Sequence, residues 1–523
     1  MTGMGAERGP GLTAGAVLAG ALLCAALLVA PGQTVISVYA NDLFIFLDGA
    51  WRVASGQVPN RDFHTALGPL VYLLPAAGYR LTGSLGLAMP VAMALVLAIM
   101  VPPMAWILAS RVRPLLAIPF AAFLLLVVAV PMNLGEAVSA LSFAMFYNRV
   151  GWAGLALLVV MALPPGRAGP GRVAADALSA AVLAGLMLAT KITYGAVALG
   201  FLALFLLDAS HRRWALAALA VVAGTGLAAE AAWGIAAAHV ADLSLAGAVS
   251  GGLRGGVLVV ADAALRNLAD LVLFGLLAGL ALRRAPSWHD ALLYAACVVS
   301  GLLVMVQNSQ GWGVLTLHGG ALVAAERIMR ADPRSPVERP PVLAAGTPLF
   351  VLALLLPTIV HCATALGLHA WLASERPVGR YALPGYDRIR IAQLWPVDDH
   401  GFSTAFRDGL AEGAAAMADL DPRRIVVLDF VNAFSAGLGV APPRGDSSWL
   451  HWGRNVNERH HIPPERLLGD ARIVLRARPG INGDALWAVY GSYVSEHFTL
   501  ARETPAWEVY QRREDPAQAS ADP

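Results

Sequence analysis

The amino-acid sequence predicts a polytopic α-helical membrane protein of about 11 transmembrane helices, with a small C-terminal extracytoplasmic α/β domain. Three observations predict this class. Hydrophobic residues make up 57% of the 523 residues and charged residues only 14%, whereas soluble globular domains carry roughly 25% charged residues. Long apolar runs recur through the first two thirds of the chain. From about Tyr381 the sequence turns polar and acquires short strand-like runs.

Eleven apolar runs approach the length that a helix needs to cross the hydrocarbon core of a membrane. The first is interpreted as an uncleaved helix, because Pro31-Gly32-Gln33 is a poor small-residue cleavage site. Two runs of fewer than about 17 residues fit only a thinned or protein-lined region. The predicted spans are Gly11–Ala30, Ser84–Ala109, Leu115–Pro131, Tyr147–Leu163, Val173–Thr190, Tyr194–Leu207, Trp214–His239, Leu265–Leu282, Ala291–Val306, Trp312–Ala325 and Val342–His361.

Arginines orient these spans, because they fall in alternate loops and cytoplasmic loops are enriched in positive charge. We therefore expect a cytoplasmic N-terminus, a transmembrane domain over 1–361 with its first outer loop at 32–83, and a periplasmic domain over 362–523. The abundance of Ala and Arg is typical of a GC-rich bacterial genome, which predicts the bacterial inner membrane. The orienting arginines are Arg111, Arg113, Arg167, Arg172, Arg212, Arg213, Arg283, Arg284, Arg327, Arg330, Arg334 and Arg339.

Composition and motifs also exclude several classes of function. The net charge of +2 is too small to indicate nucleic acid as a partner. The three cysteines are isolated, so neither a disulfide framework nor a metal site is indicated. There is no phosphate-cradling motif of the GxxxxGKS type, which argues against a nucleotide-driven pump.

The first outer loop, Ala40–Arg80, places acids, arginines and a histidine among aromatic residues directly after an apolar span. Its apolar positions recur at helical spacing over Asp42–Ser55, which predicts an amphipathic helix lying in the membrane interface. Asp42 at the start of that helix is the leading candidate for a general base, because a helix N-terminus keeps a carboxylate ionised. The alternative is that Asn41 or Asp42 only caps the helix.

Further candidates lie in the same loop and in later outer loops. Asp48 either binds substrate or faces solvent. Arg149 has no reason to lie at an outer face unless it binds an anion or anchors the helix. Lys191, the only lysine of the chain, either contacts a lipid-linked phosphate or ends a helix. The other candidates for substrate contacts are His64, Tyr147 and Asn148, with Asn133, Glu136 and the patch Asn308–Trp312 weighed evenly between turn and site.

The polar tail predicts strands at Arg424–Phe430, Ala471–Arg476, Ala485–Tyr490 and Trp507–Tyr510, and a helix at Ala405–Leu420. Alternating helices and strands indicate a small α/β domain. Loop polarity is the default interpretation of its remaining polar residues, and its histidines do not have a metal-binding spacing. Those residues are Asp429, Asn432, the run Pro443–Trp452, His400, His451, His460 and His461.

The first outer loop resembles that of bacterial GT-C glycosyltransferases, including aminoarabinose transferases and protein mannosyltransferase-like enzymes. The resemblance implies an integral-membrane enzyme that takes a sugar from a polyprenyl-phosphate donor and uses an acid of this loop as base. The local match covers about 40 residues, while helix number, topology and tail extend it over the chain. It is carried by Asn41-Asp42, Ala50-Trp51-Arg52, Gly56, Val58-Pro59, Arg61-Asp62-Phe63 and Gly68-Pro69-Leu70-Val71-Tyr72.

By this resemblance Asp42 takes the position of the catalytic base, Asp62 that of a second acid, and Lys191 that of a phosphate contact. Relatives often have an acidic pair where this chain has Asn41-Asp42, so no metal is expected as cofactor. Some have Lys-Pro where this chain has Gly68-Pro69, so Lys191, Arg149 or His64 would replace that lysine. The implied partners are a polyprenyl-phosphate-linked sugar, a cell-envelope acceptor and membrane lipid.

Two other classes compete with an enzyme. In a transporter the outer acids would gate or bind a substrate, but transporters generally show internal repeats and midplane charges, and the ionisable residues here gather at one face. The remaining alternative is a non-catalytic envelope protein that binds lipid.

Overall fold

The computed structural model describes residues 9–166, 171–251, 256–308, 310–330, 341–375, 379–394 and 398–513. Several residues named above lie outside this part of the chain, namely Arg167, Ser309, Arg334 and Arg339, and the side chain of His400 is likewise not described.

Helices dominate the first 375 residues. Of the described strands, the short strand Thr34–Ile36 lies among these helices and the other five follow them. In chain order the described residues form α1 Gly9–Val29, β1 Thr34–Ile36, α2 Ala40–Ala54, α3 Leu70–Thr82, α4 Ala88–Arg111, α5 Pro114–Ala129, α6 Phe146–Val160, α7 Arg172–Thr190, α8 Ile192–Phe205, α9 Ala209–Trp233, α10 Ala236–Ser250, α11 Gly256–Arg266, α12 Leu268–Arg284, α13 Trp288–Gln307, α14 Leu315–Arg330, α15 Pro341–Glu375, β2 Ile389–Ile391, α16 Asp398–Ala416, β3 Ile425–Leu428, α17 Phe434–Leu438, α18 Pro464–Leu467, β4 Ile473–Ala477, α19 Gly483–His497, β5 Phe498–Glu503 and β6 Trp507–Arg512.

The fold is that of a polytopic α-helical membrane protein. Six of the described helices are long and apolar enough to cross a membrane, by length and composition, and four more are apolar but shorter. Apolar side chains such as Leu22 and Leu227 are 62% and 72% exposed, which suits lipid rather than water. Each of the 11 predicted spans overlaps a helix, namely α1, α4 to α9 and α12 to α15, so the fold class is confirmed.

Two predicted helix ends are wrong. The span predicted to reach His239 ends at Trp233, because Gly234 adopts a φ of 64° and a separate helix, α10, follows. The last span does not end at His361 but continues in α15 to Glu375. The domain boundary placed after residue 361 therefore falls inside a helix. His361 lies within this helix, and its ring nitrogen Nε2 donates to the carbonyl oxygen of Glu136 at 2.7 Å.

The arginine loops meet at one end of the helical region. The backbone N–H of Arg113 donates to Glu326 Oε1 at 2.7 Å, and Arg330 donates to the carbonyl oxygens of Arg111 and Pro164. The first outer loop and the loop before α6 meet at the opposite end, where the Ser37 N–H donates to the carbonyl oxygen of Leu141 at 2.9 Å. These loops therefore lie at opposite ends of the helical region, as their arginine content predicts.

The C-terminal domain is built on a four-stranded sheet of order β3-β4-β6-β5. Strands β3 and β4 are parallel, and β6 runs antiparallel to both of its neighbours. A small α/β domain, with strands at three of the four predicted places, is therefore present. The predicted strand Ala485–Tyr490 is wrong: it is part of helix α19, whose buried residues Leu486, Tyr490 and Val494 recur every four residues.

The domain is attached to the helical region through the first outer loop. Strand β1 pairs in parallel with β2, so Val35 lies opposite Arg390. Helix α2 packs on α3 on one side and on α16 and α17 of the domain on another. None of the residues of α2 is exposed to solvent, so it has no open polar face, and its place in the membrane interface stays a prediction. Most of its side chains are buried between the two parts of the protein.

Candidate functional site

A cavity of about 960 Å³ lies where the helical region meets the C-terminal domain. Three parts of the chain form its walls. The helical region contributes Tyr147 and Lys191, helices α10 and α11 contribute apolar side chains such as Leu243 and Val259, and the domain contributes a turn that ends in Arg454. The wall from α10 and α11 is mainly apolar but also carries the ion pair of Arg266 and Asp262, 2.8 Å apart, while Lys191 and Arg454 border the cavity from the other two parts.

Lys191 is fixed in the turn between α7 and α8. Its ammonium donates to Asn148 Oδ1 at 3.4 Å and to Asn308 Oδ1, and it lies 4.9 Å from the centre of the Tyr147 ring. None of the described carboxylates forms a salt bridge with it. Burial, with a smaller contribution from Arg454, lowers the pKa of Lys191 to about 7. An anion that entered the cavity would stabilise the charged form.

Gly68 explains how the first outer loop approaches this turn. Its N–H donates to the carbonyl oxygen of Thr190 at 3.0 Å. A Cβ at this position would lie 2.2 Å from the carbonyl oxygen of Ala189, so only glycine fits. Gly68-Pro69 stands where some members of the family it resembles have Lys-Pro. Here the glycine allows the loop to pack against the end of α7, one residue before Lys191.

Asp42 lies in the first turn of α2 and is half buried. The cap position belongs to Tyr39, in a left-handed conformation, so Asn41 and Asp42 lie in the first turn of the helix. The assignment of Asp42 as the base stays a prediction. Asp42 does not border the cavity. It precedes Phe46 by four residues and therefore shares its face of the helix, and the Phe46 ring lies 6.4 Å from that of Tyr147. The Asp42 charge also acts on the Tyr147 phenol.

Arg454 is the cation that the C-terminal domain contributes to the cavity, and it was not among the residues predicted from the sequence. Its guanidinium lies 5.6 Å from the centre of the Trp449 ring, and its charge acts on Lys191, Tyr147 and His451. Within the described part of the chain it forms no ion pair. Burial, together with the Arg454 charge, lowers the pKa of His451. The aromatic residues before Arg454, at positions 449, 451 and 452, were the available signal.

Asp48 is neither solvated nor at the cavity, which corrects its assignment as a substrate contact. It is fully buried and accepts from Arg52 Nε at 2.6 Å. The two terminal nitrogens of Arg52 donate to the two oxygens of Asp446 at 2.5 and 2.8 Å. We call Asp48, Arg52 and Asp446 the docking triad. Burial raises the pKa of Asp48 to about 7, although Arg52 opposes the shift.

Asp62 and His64 hold the loop and the domain together. Asp62 accepts from the Val58 N–H at 2.7 Å and pairs with Arg444 of the domain at 3.0 Å. Bonds to Val58 and Arg61 and the charge of Arg444 lower the pKa of Asp62, although partial burial opposes the shift. His64 Nδ1 lies 2.5 Å from Asp242 Oδ1 on α10, beside a much smaller cavity. Neither residue borders the main cavity, and their roles there stay predictions.

Arg149 and Asn148 are buried beneath Tyr147. Arg149 Nη1 donates to the carbonyl oxygens of Met132 and Ala144 at 3.0 and 3.3 Å, so it holds the preceding loop rather than bordering the cavity. It does not extend to a membrane surface either, because it is 1% exposed. Asn148 accepts a hydrogen bond from the Lys191 ammonium through its side-chain oxygen. Of the five predicted substrate contacts other than Asp48, only Tyr147 and Lys191 border the main cavity.

In the patch predicted at Asn308–Trp312, one residue holds Lys191 in place and another borders the cavity. Asn308 holds Lys191 and donates to the Tyr194 hydroxyl at 3.2 Å, while Gln310 borders the cavity and accepts from Trp152. Within the described ranges no group of three or more His, Cys, Asp or Glu side chains is arranged to hold a metal ion.

The fold and the cavity define a polytopic membrane protein whose polar domain closes a cation-bearing cavity. No protein-family model matches the chain, and no curated protein matches its sequence. Among solved structures it is similar to the arabinofuranosyltransferase AftD from Mycobacteria, with 17% identity and a TM-score of 0.45. That likeness covers 95% of this chain, which spans only 40% of the AftD chain.

The chain is also similar to ArnT from Cupriavidus metallidurans bound to undecaprenyl phosphate, with 13% identity and a TM-score of 0.49 over 94% of this chain and 97% of that one. For ArnT in the apo state the identity is 13%, the TM-score 0.47, and the covered shares 94% and 96%. At TM-scores below 0.5, a function for this chain depends on its own residues.

Proposed function

We propose that this chain is a GT-C-type, inverting glycosyltransferase of the bacterial inner membrane. It would transfer a sugar from a polyprenyl-phosphate donor to a glycan, lipid or protein of the cell envelope on the periplasmic face. The carrying observation is that Lys191 and Arg454 border one cavity and that neither forms a salt bridge with a described carboxylate, whereas Arg266 at the same cavity is paired with Asp262. A lipid phosphate supplies the missing negative charge, and the apolar wall suits its isoprenoid units.

The chemistry needs a base and a pair of cations. Asp42 would accept the proton of the acceptor hydroxyl as that oxygen attacks the anomeric carbon of the sugar. The bond from that carbon to the phosphate oxygen breaks, and the polyprenyl phosphate leaves with the electron pair. Lys191 and Arg454 would stabilise the charge on this phosphate. Two observations support the assignment of the base: the Asp42 charge acts on Tyr147, which borders the cavity, and Phe46, on the same face of α2 as Asp42, packs against the Tyr147 ring.

The arrangement of the arginine loops supports the proposed orientation in the membrane. The arginine loops meet at the end opposite the cavity, and positive charge marks the cytoplasmic side. The C-terminal domain and the cavity then face the periplasm. No step consumes a nucleotide, because a lipid phosphate is already a good leaving group.

The test is the release of undecaprenyl phosphate by the purified chain in lipid vesicles, supplied with undecaprenyl-phosphate sugars and a cell-envelope extract. We expect release with at least one donor, and loss of release in Lys191→Ala and Arg454→Gln. Arg459→Gln is the matched control, because Arg459 is an exposed arginine five residues further on. Binding of undecaprenyl phosphate without release from any donor would favour the alternative of a non-catalytic lipid-binding protein.

A further inference from the structure

The docking triad is buried in the interface between α2 and the segment 443–455 of the C-terminal domain. The side chains of Asp48, Arg52 and Asp446 are 0%, 0% and 2% exposed. Arg52 Nη1 also donates to the carbonyl oxygen of Pro443 at 3.1 Å, and its guanidinium lies 5.4 Å from the centre of the Phe63 ring. One arginine thus holds the start of this segment by both of its terminal nitrogens.

The same segment carries Arg454 to the cavity, eight residues after Asp446. The first part runs beside the outer loop: the His64 N–H donates to the carbonyl oxygen of Asp446 at 2.7 Å, and the Ser448 N–H to that of His64 at 3.3 Å. The second part is a turn closed by Asn455, which accepts from the His451 N–H at 2.7 Å and donates to the Trp449 carbonyl oxygen at 2.8 Å. The segment is therefore hydrogen-bonded along its length.

We propose that the docking triad is a positioning device that holds the segment 443–455 against α2 and thereby fixes Arg454 beside Lys191. Arg52 and Asp446 are positioning residues, because they touch neither the cavity nor any ligand in it. The role of the two cations in binding a lipid phosphate rests on the proposed function. The holding of the segment 443–455 by the docking triad does not depend on the proposed function.

The single lysine of the chain provides a reporter that needs no ligand. The charge of Arg454 lowers the pKa of Lys191, so displacement of Arg454 raises it. Reductive ¹³C-methylation of the full chain in detergent labels Lys191 and the N-terminal amine, and an NMR titration measures the pKa of Lys191. We expect Asp446→Asn and Arg454→Gln to raise this pKa by the same amount. The double variant should show no further rise, because both changes act through one group.

Arg444→Gln is the matched control, since Arg444 pairs with Asp62 across the same interface but is 60% exposed. We expect it to leave the pKa of Lys191 unchanged. Where Asp446→Asn does not yield folded protein, Arg52→Lys keeps the charge, loses the two-pronged contact and should raise the pKa in the same direction. If the triad only stabilised the fold, Asp446→Asn and Arg52→Lys would lower the unfolding temperature without changing the pKa of Lys191.

The proposal is overturned if folded Asp446→Asn or Arg52→Lys retains the wild-type pKa of Lys191. Asn455, and Asn482, whose Oδ1 accepts from the Trp452 N–H at 3.1 Å, would then hold the turn with Arg454 from the domain side alone. It is also overturned if Arg454→Gln leaves that pKa unchanged. A wild-type chain that fails to bind undecaprenyl phosphate would contradict the proposed function, but it would leave the pKa comparison intact. The two failures are therefore distinguishable.

Discussion

The ammonium of Lys191 lies 4.9 Å from the centre of the Tyr147 ring, with the guanidinium of Arg454 close enough to lower its pKa. The lysine belongs to the helical region and the arginine to the C-terminal domain, 263 positions further along the chain. The site is therefore formed only when the C-terminal domain is docked on the helical region.

Lys191 should bind the lipid phosphate rather than only end a helix. We expect Lys191→Ala to weaken the binding of undecaprenyl phosphate by about 10-fold or more, as is typical for a charge-assisted hydrogen bond worth about 1.5–3 kcal/mol. Lys191→Arg should weaken binding less, because it keeps the charge but meets the phosphate with a different geometry. Isothermal titration measures the affinity. Unchanged affinity in a stable Lys191→Ala protein would remove Lys191 from the site.

The pH dependence of binding follows from the pKa of Lys191, which burial lowers to about 7. Below this value the ammonium is present and attracts the phosphate; above it the free protein has lost that proton. We expect the affinity for undecaprenyl phosphate to fall as pH rises through about 7, by up to about 10-fold per pH unit. Lys191→Arg should abolish this fall, because arginine does not titrate there. A fall that persists in Lys191→Arg would assign it to another group.

Asp42→Asn should separate catalysis from binding. An amide cannot accept the proton of the acceptor hydroxyl, so we expect release of undecaprenyl phosphate to fall about 10²–10⁴-fold. Lipid-phosphate binding should persist. The helix should remain, because asparagine can keep a hydrogen bond in the first turn and the change removes only about 0.3–1 kcal/mol of charge interaction with the helix N-terminus. Turnover within a few fold of wild type would show that Asp42 is not the base.

Gly68→Ala should destabilise the fold, since the added Cβ would meet the backbone of α7 at 2.2 Å. We expect a loss of about 1–3 kcal/mol, seen as a lower unfolding temperature in detergent. The control is Gly185→Ala in α7, where nothing lies within 4 Å of the added atom. If both variants unfold at the wild-type temperature, the loop does not approach Lys191 as closely as the structure indicates.

The helical region was predictable because each span leaves an apolar run of sufficient length in the sequence. The ends of spans were less predictable. The predicted span ended at the polar His361, but helix α15 continues to Glu375, and the histidine ring donates to the carbonyl oxygen of Glu136, which is far away in the chain. The run Ala485–Tyr490 was interpreted as a strand because six apolar residues fit both periodicities. Only the four-residue spacing that extends to Val494 identifies the helix.

The site was predictable only in its membrane half. Lys191 and Tyr147 follow from charge at the end of an apolar span, and both border the cavity. Asp48 was misassigned because its environment depends on Asp446, almost 400 positions away, and no local pattern reports such a pairing. Arg454 was missed for the same reason: its importance comes from the docking of the domain, which brings it near Lys191.

The most direct test of the account is a cryo-electron microscopy structure of the full chain with bound undecaprenyl phosphate. The account predicts phosphate density between Lys191 and Arg454, with the isoprenoid tail along the wall formed by Leu243 and Val259. Density for the phosphate at another place, with both cations left facing an empty cavity, would contradict it.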